Sequence, residues 1–192
     1  MSPRRAPVLL LIGMILLVAL TRLLPHWPNF TPVGAMALFG AAAFPRRWMA
    51  WVVPFAALYL SDIALNNLVY AAYYEGFYWG VNGWVYAGFA LTLLVGFGIL
   101  RNRSFSWLRL GGATLLTTLL FFALTNFGAW MGSPFYPQTG EGLLAAYVAG
   151  LPFLLNSLAG NVLFAGLLFG GARYLAKTDR PVTQPVDALY ED

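Results

Sequence analysis

The sequence predicts an all-α membrane protein, a single six-helix transmembrane bundle with a short second helix and both termini cytoplasmic. Three observations carry this. Hydrophobic residues make up 60% of the 192 residues and charged residues only 9%, against about a quarter charged in ordinary soluble domains. The apolar residues fall into six runs separated by short gaps. The cations then alternate between those gaps. Arg4 and Arg5 precede the first run, and Arg46 and Arg47 follow the second. Arg101, Arg103 and Arg109 lie between the fourth and fifth, and Arg173, Lys177 and Arg180 follow the last. The intervening gaps hold only Arg22. Basic loops resist translocation and stay cytoplasmic, so the alternation orients every segment.

The expected spans are 7–24, 31–44, 48–69, 83–100, 108–130 and a long stretch over 143–176. The first begins like a signal peptide, with Arg4-Arg5 ahead of an apolar run, but Val18 to Arg22 offers no small-x-small cleavage site and more spans follow, so it reads as a retained helix. The second is too short for the roughly 20 residues a crossing needs. Bracketed by Pro25, Pro28, Pro32 and Pro45, it reads as a short or tilted helix sheltered by its neighbours. The last stretch is too long, and Pro152 divides it into an outer cap over 143–150 and a crossing that runs inward from the proline. Trp27, Trp79, Trp84 and Trp130 fall at outer ends and Trp48, Trp51 and Trp107 at inner ends, as interfacial belts require. Residues 1–180 form one transmembrane domain, and 181–192 a polar cytoplasmic tail.

Composition also excludes functions. The chain has no cysteine and one histidine, His26, so thiolate chemistry, disulfides and a resident metal site are ruled out, and no cofactor is expected. The net charge of +4 is that of cytoplasmic flanks facing anionic lipid, without a basic face for nucleic acid. No paired carboxylates or nucleophile–base set exists, which argues against an enzyme.

Asp62 is the only acid within any span and therefore the first functional candidate. Tyr59, Asp62, Asn66 and Tyr70 share one helix face in the outer half. The alternative is structural, with Asp62 capping the broken second helix or pairing with Arg22. Asn126 and Trp130 stand one turn apart near the outer end of the fifth span, Asn156 lies just after Pro152, and Ser157 and Asn161 form a further one-turn pair. Each amide alone reads as interhelical glue; their shared depth points to a small-molecule pocket with aromatic walls. The inner half carries Gly96, Gly98, Gly111, Gly112, Gly166, Gly170 and Gly171. Gly166-x-x-x-Gly170 and Ala37-x-x-x-Ala41 permit close helix packing, within the bundle or against a partner. The expectation is a polar cavity open outward and closed inward by packed small residues.

The run Leu24-Pro-His-Trp-Pro-Asn-Phe-Thr-Pro-Val-Gly-Ala-Met-Ala-Leu-Phe-Gly-Ala, followed by Leu58-Tyr-Leu-Ser-Asp, resembles a little-characterised bacterial inner-membrane family. That family is in turn similar to the substrate-binding S components of energy-coupling factor vitamin transporters. The resemblance implies an outward-facing vitamin site closed by lid loops, on a bundle that topples when it docks on a transmembrane partner driven by two ATPases. Carried onto this chain, the first lid is 25–32, with His26, Trp27, Asn29 and Phe30. The second is 69–82, with Tyr73, Tyr74, Tyr78 and Trp79. Trp84, Asn126, Trp130 and Asn156 come from the later helices. The first span departs from the pattern, because it lacks the Ala-x-x-x-Ala docking motif and has only Gly13 and Ala19. Ala37 and Ala41 are the possible substitute, or the protein acts alone, as solitary S components for biotin and cobalamin do. In the cobalamin case His26 would approach cobalt from the lid; otherwise it is an interfacial residue.

The expected function is capture of a small water-soluble nutrient, a vitamin or its precursor, at the outer face of the bacterial inner membrane. Two alternatives stand beside it: a proton-coupled secondary transporter using Asp62, and a structural or assembly subunit with an empty pocket.

Overall fold

The computed structural model describes residues 8–178, with side chains through Ala176. Arg4, Arg5, Arg180, the Lys177 side chain and the expected tail 181–192 lie outside the described residues. Six helices follow in order: α1 (Val8–Leu20), α2 (Val33–Ala43), α3 (Arg47–Ala64), α4 (Gly83–Ile99), α5 (Trp107–Gly132) and α6 (Gly140–Thr178). A 3₁₀ turn, Thr21–Leu23, extends α1, a π-turn, Leu65–Val69, extends α3, and a short 3₁₀ turn, Ala71–Tyr73, follows it. No strand occurs among the described residues. Among the described residues three helices are long and apolar enough to cross a membrane: Arg47–Val69, Trp107–Gly132 and Gly140–Ala176.

Local signals explain several boundaries. Asn82 caps α4 by accepting from the amides of Trp84 and Val85, and Ser106 caps α5 by accepting from that of Arg109. One expected boundary is absent, because α6 runs unbroken through Pro152. A proline removes one amide donor and strains one turn. Here the turns before it are held against α5. The Tyr147 hydroxyl donates to the Ala123 carbonyl at 2.8 Å, and Gly150 lets the Asn126 amide lie against the α6 backbone. Residues 143–150 thus belong to the first turns of the long helix and are not a separate cap.

Contacts between helix ends fix an up-and-down arrangement. Arg22, after α1, meets Asp62 near the end of α3, and Trp84 at the start of α4 packs on Gly128 near the end of α5. At the opposite end Arg101, after α4, reaches the α2 terminus, and Trp107 at the start of α5 approaches Gly170. Loops 24–32, 70–82 and 133–139 therefore share one end. The described cations other than Arg22, namely Arg46, Arg47, Arg101, Arg103, Arg109 and Arg173, gather at the other. The acids Asp62, Glu75 and Glu141 belong to the loop end.

The short second helix is the centre of the molecule. Val33 and every residue from Ala35 to Ala41 are buried, and α2 touches all five other helices. Around it α3, α1, α6, α5 and α4 pack in that order, while α4 and α3 do not close the ring with comparable backbone packing. A helix buried in apolar surroundings must have its free terminal amides and carbonyls satisfied by protein. Asn161 on α6 accepts from the Ala35 amide at 3.2 Å, and Arg101 donates to the Ala41 and Pro45 carbonyls, both at 3.0 Å. The expectation of a sheltered helix holds.

Of the seven glycines expected to close the inner half, Gly96 packs against Ala41 and Gly171 meets Met14, while the other five are loosely surrounded. A Cβ added at Gly98, Gly111, Gly112 or Gly166 would meet nothing within 4 Å, and at Gly170 only the Trp107 ring at 3.8 Å. Gly166 and Gly170 face outward or loosely, so they do not form a tight internal contact. Ala37 and Ala41 are fully buried, with Ala41 against Gly96, and so cannot serve as a docking surface for another protein. Close glycine contacts occur at both ends: Gly88 against Phe121, Gly128 against Trp84 and Gly160 against the Thr31 backbone toward the loops, and Gly40 against Pro54 and Gly96 against Ala41 toward the cations.

Candidate functional site

The polar side chains of the loop end fall into three groups. The first joins α1, α3 and α4. Arg22, on the 3₁₀ turn that ends α1, is 9% exposed. Its Nη2 donates to Asp62 Oδ1 at 2.6 Å, and its Nη1 donates to the Leu58 carbonyl at 3.3 Å and to Ser61 Oγ. Ser61 in turn donates to the Leu58 carbonyl at 2.8 Å. Tyr86 of α4 brings its hydroxyl into the electrostatic reach of Asp62, Arg22 and Tyr59. That hydroxyl and Arg22 Nε are buried without a hydrogen-bond partner of ordinary geometry. The structural alternative for Asp62, pairing with Arg22, is what the fold contains.

The second group clamps loop 24–32 to α6. Asn156 Nδ2 donates to the Pro28 carbonyl at 2.9 Å, Phe30 packs on Phe164 at 6.1 Å, and Trp27 meets Phe30 edge-on at 6.0 Å. Asn29 takes φ +61°, the left-handed conformation that asparagine tolerates better than most residues, and its carbonyl accepts from the Thr31 amide. Asn161, one turn after Ser157, joins the α2 terminus to Thr118 Oγ1 at 3.0 Å. His26 is exposed, with Nδ1 2.6 Å from the Leu24 carbonyl oxygen. A carbonyl partner requires Nδ1 to carry a proton.

The third group holds the two later loops. Asn66 Nδ2 donates to the Gly80 carbonyl at 3.2 Å. Asn67 exchanges two bonds with the Tyr78 backbone, at 2.8 and 2.9 Å. Within that loop Tyr74 stacks on Tyr78 with centroids 3.9 Å apart, and Phe77 lies against Trp79; Tyr73 stays largely exposed beside Tyr70. Trp130 Nε1 donates to the Pro137 carbonyl at 2.8 Å, and Phe127 bridges Trp84 to Trp130. Asn126 donates to its own helix, at the Phe122 carbonyl.

The structure thus sets Tyr59 and Asp62 both within electrostatic reach of Tyr86 and links Trp84 to Trp130 through Phe127. Asn66, Asn126 and Asn156 each serve a different neighbour. Tyr86, Asn67 and the tertiary cap made by Asn161 were not read from the sequence as site features, although the Asn66-Asn67 doublet at the head of an aromatic loop was a visible signal. Among the described residues no three His, Asp or Glu side chains gather as a metal site.

A family model matches residues 3–183, nearly the whole chain. The chain belongs to DUF6580, a family of unknown function. No curated protein and no solved structure matches it. What this DUF6580 chain does must therefore be argued from its own loop end.

Proposed function

We propose that this DUF6580 chain is an inner-membrane protein of six spans with both termini cytoplasmic. In this reading it captures a small water-soluble nutrient, a vitamin or vitamin precursor, at its outer end for import. The observation that carries the reading is the gathering of loops 24–32, 70–82 and 133–139 at one end, opposite the cations. Those loops are rich in aromatic rings and pinned by the side-chain amides of Asn66, Asn67 and Asn156 and the indole N–H of Trp130. Aromatic walls with a few oriented polar groups suit a flat, polar-edged molecule. The cationic end supports cytoplasmic placement. Exposed leucines such as Leu9, Leu60 and Leu155 on three of the helices suit a lipid solvent. Import would use an energy-coupling transmembrane subunit with its ATPases, or this chain alone.

The test is native mass spectrometry of protein purified in mild detergent, followed by a titration with a vitamin panel that includes biotin and cobalamin. A stoichiometric adduct weakened by substitutions in loop 70–82 or at Trp84 supports the proposal. No adduct with any member of the panel sinks it.

A further inference from the structure

The open seam between α3 and α4 carries a second kind of site. Because these helices lack extended backbone packing, aromatic rings span the space between them. Trp51 reaches Phe97 at 6.1 Å, and Phe55 reaches Phe89 at 4.9 Å and Tyr86 at 6.1 Å. On the α3 side of the seam lies a shallow, wholly apolar groove of about 320 Å³, lined by Trp51, Val52 and Phe55, all on α3. In a bilayer such a groove does not stay empty, since an unfilled hollow forfeits dispersion contacts on one side.

The groove also has a charged head. Arg47, Trp51 and Phe55 stand at i, i+4 and i+8, one stripe of α3. Arg46 and Arg47 are exposed at its start, with Trp48 beside them. Among the described residues neither arginine has an ion-pair partner, because the three described acids all lie toward the opposite end. From Arg47 to Phe55 the stripe is about 12 Å long at 1.5 Å per residue, most of one leaflet's roughly 15 Å of hydrocarbon.

We infer that this face of α3, at the edge of the seam, is a binding site for one anionic glycerophospholipid of the cytoplasmic leaflet. An acyl chain lies along Trp51, Val52 and Phe55, and the phosphate rests on the guanidinium groups of Arg46 and Arg47. Charge complementarity selects the occupant: two unpaired cations at the mouth of a carbon-lined groove match a headgroup of net negative charge better than a zwitterion. The inference shares the membrane placement of the proposed function but needs no nutrient, so either can fail alone.

The experiment uses the full chain, delipidated in detergent and titrated separately with phosphatidylglycerol and phosphatidylethanolamine, with the first lipid adduct read by native mass spectrometry. Phosphatidylglycerol should bind more tightly, and R46Q/R47Q should weaken it by about fivefold per arginine while leaving phosphatidylethanolamine nearly unchanged. V52W, which fills the groove, should weaken both lipids. R103Q/R109Q, which removes the same charge elsewhere on the same end, should change the first adduct less than twofold. Equal binding of the two lipids overturns the inference, as does equal loss in the two arginine pairs or full binding by V52W. A tryptophan-fluorescence melt of each variant separates lost binding from lost folding.

Discussion

Replacing Asp62 with alanine removes the only partner charge of a guanidinium that is 9% exposed. The pair's side chains retain 10% and 15% of their surface. After the substitution Arg22 keeps Ser61 Oγ and the Leu58 carbonyl, while Nε already lacks a partner. Breaking a buried pair from one side costs about 3–5 kcal/mol, and the two remaining acceptors argue for the lower end. At about 2–4 °C per kcal/mol for chains of this size, Asp62→Ala should melt roughly 6–12 °C below the parent. Asp62→Asn, which keeps an acceptor oxygen, should lose less. The double variant Arg22→Met with Asp62→Leu removes both charges and should recover to within about 1–2 kcal/mol of the parent. The assay is thermal unfolding in detergent, followed by the chain's seven tryptophans and analysed as a double-mutant cycle. If Asp62→Ala melts with the parent, or the double variant is as unstable as the two single changes added, the reasoning about a buried, mutually dependent pair is wrong.

The other expectations concern the bundle and its loops. Asn161→Ala deprives the Ala35 amide and Thr118 of their shared partner, and should destabilise by about 1–3 kcal/mol in the same melt. Gly128→Ala drives a methyl into the Trp84 ring and should cost about 1–3 kcal/mol by overpacking. Gly166→Ala meets no atom within 4 Å and should stay within about 0.5 kcal/mol of the parent, or gain slightly. Asn67→Ala releases the Tyr78 backbone, so chymotrypsin should cut within 70–82 several-fold faster than in the parent, with little change in melting temperature.

Helix positions were legible because lipid imposes a simple requirement: apolar runs bounded by charge and proline. That rule located α1 to α5 to within a few residues and placed the cations at one end. It failed at Pro152, where local chemistry favours a break and contacts from Tyr147 and Asn126 to α5 override it. Arg22 was readable because it was the only cation on the wrong side of the topology, and such a charge needs a partner. Asn161 was not, since the amide it caps lies 126 residues away and no spacing rule connects them. The inner glycines misled for a related reason. Composition shows that small residues are present, but not which face they occupy, and Gly111, Gly112 and Gly166 turn out to face open space.

The loops at the candidate end are not equally free to move, and the difference bears on how a nutrient would enter. Loop 24–32 is bound along α6 by Asn156, Gly160 and Phe164, and it continues into α2, whose first turn is held by Asn161. Since α2 is buried against every other helix, lifting this loop would disturb the core. Loop 70–82 has no such anchor. It hangs on Asn66 and Asn67, its rings stack mainly on one another, and it follows a π-turn, an irregularity that often marks functional segments. Opening it would break a few exposed hydrogen bonds and leave the bundle intact, which is the energetic profile of a lid. On the proposed function the moving element is therefore 70–82, and 24–32 is the fixed wall against which it closes. The Arg22–Asp62–Tyr86 cluster lies toward the base of that hinge, where α3 gives way to the π-turn. A nutrient that reached the Tyr86 hydroxyl and Arg22 Nε would meet two buried polar atoms whose hydrogen bonds are incomplete.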